Sequence, residues 1–212
     1  MIAAFKRNRG KISPHLWDFV GKYRSHYATI RDILFEPVTS PSDVPRLFSL
    51  GEDKNLIEYD LNTSGPYPHP GLVILRIHQI EYTATPLCFS WYPERGIEKF
   101  LMVSNSEYKY RLVNETSKMI RGTFLGPLFG APVQHFKLLP SKGRNSGKHI
   151  VFATDKEIGL QILPFDGNPY KSLGMIGHPR KITNVCINHE GNIVFTSGYN
   201  DFCVLMWKIN CR

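Results

Sequence analysis

The stretch GHPRKITNVCINHEGNIVFTSGYNDFCVLMWKIN, Gly177 to Asn210, restricts the fold more than any other part of the chain. Lys181 to Ile187 alternates apolar and polar residues, the period of a half-buried strand. His-Glu-Gly-Asn then turns into a β-branched run, Ile193 to Gly198, and Tyr-Asn-Asp turns into a third run, Cys203 to Ile209. Three short antiparallel strands cannot bury their own faces, so such a unit is stable only when similar units stack on it. The chain supplies three more. First strands are expected to begin near Ile30, Pro86, Val133 and Ile182, at intervals of about 56, 47 and 49 residues.

A Gly-His pair followed about thirty residues later by a Trp pair, within a repeat of roughly 40–45 residues, marks one blade of a β-propeller. The polar residues between those pairs resemble the WD-repeat family, in which His, Ser, Asp and Trp form a buried hydrogen-bonded tetrad. The matching positions are His178, Ser197, Asp201 and Trp207, with Asp201 six and Ser197 ten residues before Trp207. Lys208 stands where the family has Asp. The same spacing returns at His26, Ser49, Asp53 and Tyr59, where Tyr keeps a large ring with a polar tip. Two intermediate units lack the tetrad, although Glu157 lies six residues before Leu163. The expected fold is therefore all-β, a WD40-type β-propeller of about four blades. A basic leader, 1–14, precedes a repeat region, 15–212, with blades at about 25–80, 81–126, 127–177 and 178–212.

Fourth strands are expected near Gly71–His78, Lys118–Phe124 and Tyr170–Ile176, while the last unit stops after its third. His15–Arg24 adds one strand without an obvious partner. It is either the outer strand of a preceding blade or the piece that completes the last blade and closes the ring. Pairing with the last blade is the expectation, because an open edge leaves backbone groups unbonded. A four-blade chain of this kind reads as a fragment or short isoform of a longer one.

Long inserts at Pro37–Pro45, Asn62–Gly71, Pro140–His149 and Pro164–Tyr170 all join first to second or third to fourth strands, so they emerge at one face. Loops of that length often carry binding. Lys142, Arg144 and Lys148 make the third of them a candidate docking loop for an acidic partner, in keeping with a net charge of +8. The chemistry of an enzyme is missing. Ser141–His149 lacks the spacing of a phosphate loop, the eight histidines form no HxH or HExxH unit, and no GxSxG elbow occurs. Cys88, Cys186, Cys203 and Cys211 form no CxxC pair, and the first three are expected to pack as small hydrophobes. No catalytic residue, metal or cofactor is expected. The longest apolar run, Gly71–Ile77, falls far short of the ~20 residues that span a bilayer.

GKISPHLWDFVGKYRSHY, RLFSLGEDKNLIEYDLNTSGPYP, RIHQIEYTATPLCFSWYP and FTSGYNDFCVLMWKIN together resemble a family of WD-repeat proteins of the motile axoneme. The resemblance covers most of the chain. It implies a non-enzymatic scaffold in the cytoskeleton of the cilium or flagellum, supporting radial spoke assembly and sperm or ciliary motility. The implied partners are the calmodulin- and spoke-associated complex, the radial spoke base and tubulin, with no membrane. Longer members carry more repeats and an EF-hand-like region, which this sequence lacks. The alternatives are a generic cytosolic WD40 adaptor or a basic RNA-binding propeller. Nucleic acid is disfavoured because the leader holds only Phe5 and the Lys142 loop has no aromatic for base stacking.

Overall fold

The computed structural model describes residues 1–7, 17–36, 44–65, 71–92, 98–140 and 148–210. Among these there are seventeen strands and no helix, so no helix is long and apolar enough to cross a membrane. The chain divides into two compact units, Met1–Thr83 and Ala84–Arg212.

The first unit holds an antiparallel pair, β1 (Ile2–Arg7) with β2 (Trp17–Tyr23). It also holds a four-stranded meander of β3 (Ile30–Phe35), β4 (Leu47–Gly51), β5 (Asn55–Gly65) and β6 (Gly71–Gln79). Both strands of the pair correct an expectation. Within the segment read as a basic leader, residues 2–7 form a strand, because Ile2 and Ala4 point to one side while charge gathers only from Lys6 onward; residues 8–14 lie outside the described residues. Ile2 is buried in one cluster with Leu47, Ile57, Tyr59 and Leu72. The strand around Trp17, expected to complete the last blade, pairs instead with β1. Phe5 and Phe19 meet across that pair at 5.3 Å.

The second unit stacks three sheets. The first comprises β7 (Pro86–Trp91), β8 (Phe100–Asn105), β9 (Lys109–Asn114) and β10 (Ile120–Leu125). The next comprises β11 (His135–Leu138), β12 (His149–Ala153), β13 (Glu157–Ile162) and β14 (Ser172–Ile176). The last has only β15 (Ile182–Ile187), β16 (Ile193–Gly198) and β17 (Val204–Lys208). The expected blade starts and fourth strands are met, with β11 beginning two residues later than expected. All sheets are meanders, so each is one antiparallel blade of the expected kind.

Two apolar layers hold the second unit together. Tyr110, Met102 and Leu112 pack against Phe136, Ile150, Phe152 and Phe165 between the β7–β10 and β11–β14 sheets. Tyr110 stacks on Phe165 at 4.9 Å and meets the edge of Phe136 at 5.8 Å. Val151, Ala153 and Ile158 pack against Ile182, Val185, Val194 and Trp207 between the β11–β14 and β15–β17 sheets. The far side of the β15–β17 sheet keeps an exposed row, Cys186, Phe195 and Met206, which stand opposite one another across its three strands. Cys203 is exposed as well, so of the three cysteines expected inside, only Cys88 is buried.

Alternation of connections sorts the loops. Within each unit, the connections from first to second and from third to fourth strand leave one end of the sheets, and the short second-to-third turns leave the other. Glu52–Lys54 in the first unit and Asp155–Lys156 and Tyr199–Cys203 in the second are of the short kind.

Candidate functional site

In the first unit the four expected residues meet. His26 Nδ1 lies 2.9 Å from Asp53 Oδ1, and its Nε2 lies 2.7 Å from Ser49 Oγ. Tyr59 Oη lies 3.0 Å from that hydroxyl and 2.5 Å from Ser25 Oγ. Ser49 and Tyr59 are fully buried, so this relay ties the incoming link, the second strand and the third strand into one register.

The last sheet makes the same relay with one correction. His178 Nδ1–H donates to Asp201, and Nε2 lies 2.9 Å from Thr196 Oγ1, not from Ser197. Trp207 Nε1–H donates to the same Thr196 oxygen at 3.0 Å. The threonine oxygen thus receives the indole proton and meets the imidazole, whose other nitrogen gives its proton to the carboxylate, so each polar group of the relay has a partner. Ser197 bonds Thr183 Oγ1 at 2.9 Å on the opposite side of the sheet. The reason is the pleat. Val194 stands opposite Trp207, and a residue on the same face must be two positions away, at Thr196. In the first unit Leu47 stands opposite Tyr59, and Ser49 is again two positions on.

Sequence spacing from Trp207 misses this because the turn before Asp201 is one residue longer than the turn before Asp53. Counting from the glycine would have found it. Ser49-Leu50-Gly51 and Thr196-Ser197-Gly198 both place the hydroxyl two residues ahead of Gly. Each glycine lies directly under its His–Asp pair, where a Cβ would overlap the imidazole Nδ1 and the carboxylate.

The two carboxylates are acidified by these contacts. The His178 hydrogen bond, with the Cys203 N–H, holds Asp201 below the usual carboxylate range. Partial burial acts to raise Asp53, but the bonds from His26 and the Tyr27 N–H outweigh it and leave it lowered too. A carboxyl whose folded pKa is depressed stabilises the fold above its unfolded pKa, and that contribution disappears as pH falls through the folded value. Urea midpoints should therefore be level near neutral pH and drop below the ordinary Asp range near 4. An Asp53→Asn, Asp201→Asn double variant should be less stable at neutral pH and show a flatter acid limb; an unchanged limb would contradict the assignment.

The two intermediate sheets use their acid and hydroxyl in other ways. Glu157 accepts from Thr154 Oγ1 within its own tight turn, so its acid is used locally. In the β7–β10 sheet, Ser104 Oγ bonds Cys88 Sγ and the Val133 carbonyl, both at 3.0 Å. Of the candidate docking loop, Lys142 and Arg144 lie outside the described residues, while Lys148 is exposed beside β12. Among the described residues no three His, Cys, Asp or Glu gather as metal ligands. Asp53, His26 and Ser49 have the order of a hydrolase triad, but Ser49 Oγ is sealed from any substrate.

Comparison with known proteins adds the family. No family model matches the chain. It is 39% identical over 202 residues to cilia- and flagella-associated protein 251 of Mus musculus, covering 94% of this chain and 15% of that protein. It is 40% identical over 196 residues to the protein of the same name in Pongo abelii, covering 92% and 17%. The protein of that name in Tetrahymena thermophila is 31% identical over 216 residues, covering 92% and 22%. The chain is a homologue of a segment of cilia- and flagella-associated protein 251. It spans between about a seventh and a fifth of the length of those relatives.

Solved structures agree with the blade architecture. A chain in the structure of ctPRC2 in complex with H3K27me3 and H3K27M matches with a TM-score of 0.68 at 17% identity, covering 85% of this chain and 37% of that one. A chain of a humanized Chaetomium thermophilum Polycomb Repressive Complex 2 bound to GSK343 gives 0.69 at 15% identity, covering 99% and 42%. At such identities the match concerns the fold alone. The fold is all-β and of the WD40 propeller type.

Proposed function

We propose that the chain is a non-enzymatic WD-repeat scaffold of the motile cilium or flagellum, acting by protein–protein docking in the axoneme. The carrying observation is the homology over nine-tenths of the chain to proteins named for cilia and flagella in mammals and a ciliate. The site supports it: the buried Asp–His–hydroxyl relays hold strands in register and offer nothing to a substrate. In this reading the chain serves radial spoke assembly and motility. Its partners are the calmodulin- and spoke-associated complex, the spoke base or tubulin, and the net charge of +8 favours acidic ones.

Co-sedimentation with salt-stripped axonemes tests the proposal. The chain should sediment with them, and added salt should release it, because exposed charges are screened beyond ~8 Å at physiological ionic strength. The docking loop is part of the same proposal. Lys142→Glu, Arg144→Glu and Lys148→Glu together should weaken sedimentation while the thermal melt stays in place. A chain that stays in the supernatant at low salt is not an axonemal scaffold.

A further inference from the structure

Three pieces of chain meet at the short-turn end of the last two sheets: the turn before β13, the link carrying His178, and the turn between β16 and β17. Backbone bonds join them. Gly177 N–H donates to the Lys156 carbonyl at 2.8 Å, Ile182 N–H to that of Asp155 at 2.6 Å, and Tyr199 N–H to that of Lys181 at 2.7 Å. The His178–Asp201 pair pins the third piece to the second.

On this fixed base stand two rings in water: Tyr199 is 56% exposed and Phe202 is 98% exposed. Phe202 has φ +55° and Asn200 has φ +56°, a left-handed backbone that a bulky residue adopts only at a cost. A phenyl ring wholly in solvent returns nothing to the fold for that cost. Lys156, Arg180 and Lys181 stand on the same joined pieces of chain, are exposed, and enter no ion pair among the described residues. Rigid aromatics beside Arg are the composition of interface anchors.

We propose that this end docks an acidic peptide segment of a partner protein, with Phe202 and Tyr199 as apolar anchors and Lys156, Arg180 and Lys181 meeting its carboxylates. A peptide fits better than RNA. The carboxylates of Asp155 and Asp201 interrupt the cations, whereas a phosphate backbone calls for an unbroken basic track. The inference rests on the scaffold reading only for the identity of the partner as axonemal.

The test uses the full chain and two probes, a fluorescein-labelled peptide of repeated Glu-Glu-Leu read by anisotropy and salt-stripped axonemes read by sedimentation. Phe202→Gly decides it, because glycine takes φ +55° freely. That variant should melt no lower than wild type yet bind the peptide about tenfold more weakly. Lys156→Glu, Arg180→Glu and Lys181→Glu together should lose at least as much, and Arg121→Glu on β10 should lose nothing. Equal peptide binding by wild type and Phe202→Gly overturns the proposal, as does no binding by wild type or a preference for oligouridine RNA. If Phe202→Gly sediments with axonemes as well as wild type, the surface is wrong and the scaffold stands. If wild type binds the peptide through these residues but ignores axonemes, the surface stands and the scaffold falls.

Discussion

Replacing Phe152 by alanine should lower the stability of the Ala84–Arg212 unit by ~3–5 kcal/mol, the range for truncating a fully buried aromatic. The ring has no exposed surface, lies in the layer between the β7–β10 and β11–β14 sheets, and stacks on Phe129 at 5.7 Å. No neighbour can move into the gap, since Tyr110, Phe136 and Phe165 are already held against one another. Phe195→Ala is the control. It removes the same side chain from the second strand of the next sheet, where the ring is 38% exposed, and should cost less than ~1 kcal/mol. Urea unfolding of both variants measures the difference, and equal losses would mean that the exposed face of β16 is covered in solution.

Thr196→Val should cost ~2–3 kcal/mol, since shape is kept while a buried imidazole nitrogen and an indole N–H lose their common partner. Ser197→Ala should stay within ~0.5 kcal/mol, because that hydroxyl bonds only Thr183 at an exposed position. Thermal melts read this pair, with Trp207 fluorescence as a local reporter. The reverse ranking would restore Ser197 to the relay and place the pleat of β16 one residue out.

Those two comparisons also mark where the sequence ceased to be legible. The repeat starts and the fourth strands could be read because each depends on a local period and on nearby turn residues. Which face a strand buries depends on its neighbours. Ile150-Val151-Phe152 and Ile193-Val194-Phe195 are the same tripeptide in the same strand of successive sheets, yet the pleat is shifted by one between them. Phe152 points into the inner layer at the place Thr196 occupies one sheet later, and Phe195 points outward. A slip of one residue exchanges the faces, and no count along the chain reveals it. β1 escaped notice for a different reason. Ile2 and Ala4 alone carry its alternation before the charge that begins at Lys6, too short a period to mark a strand. Tyr59 was legible because a phenol at the Trp position can still reach the serine hydroxyl, as it does.

One position in the blade thus has two occupants: a hydroxyl held in a relay, or a phenyl plug. Neither converts into the other by a single substitution. Putting Phe at Thr196 would leave His178, Asp201 and Trp207 with ungratified polar atoms, and putting Thr at Phe152 would bury a hydroxyl beside apolar neighbours. A relay with one member gone is worse than a whole relay or none. The two states are separated by a valley that several coordinated changes must cross. The interior of a blade is therefore changed as a whole or not at all, and neighbouring blades in one chain keep different interiors side by side.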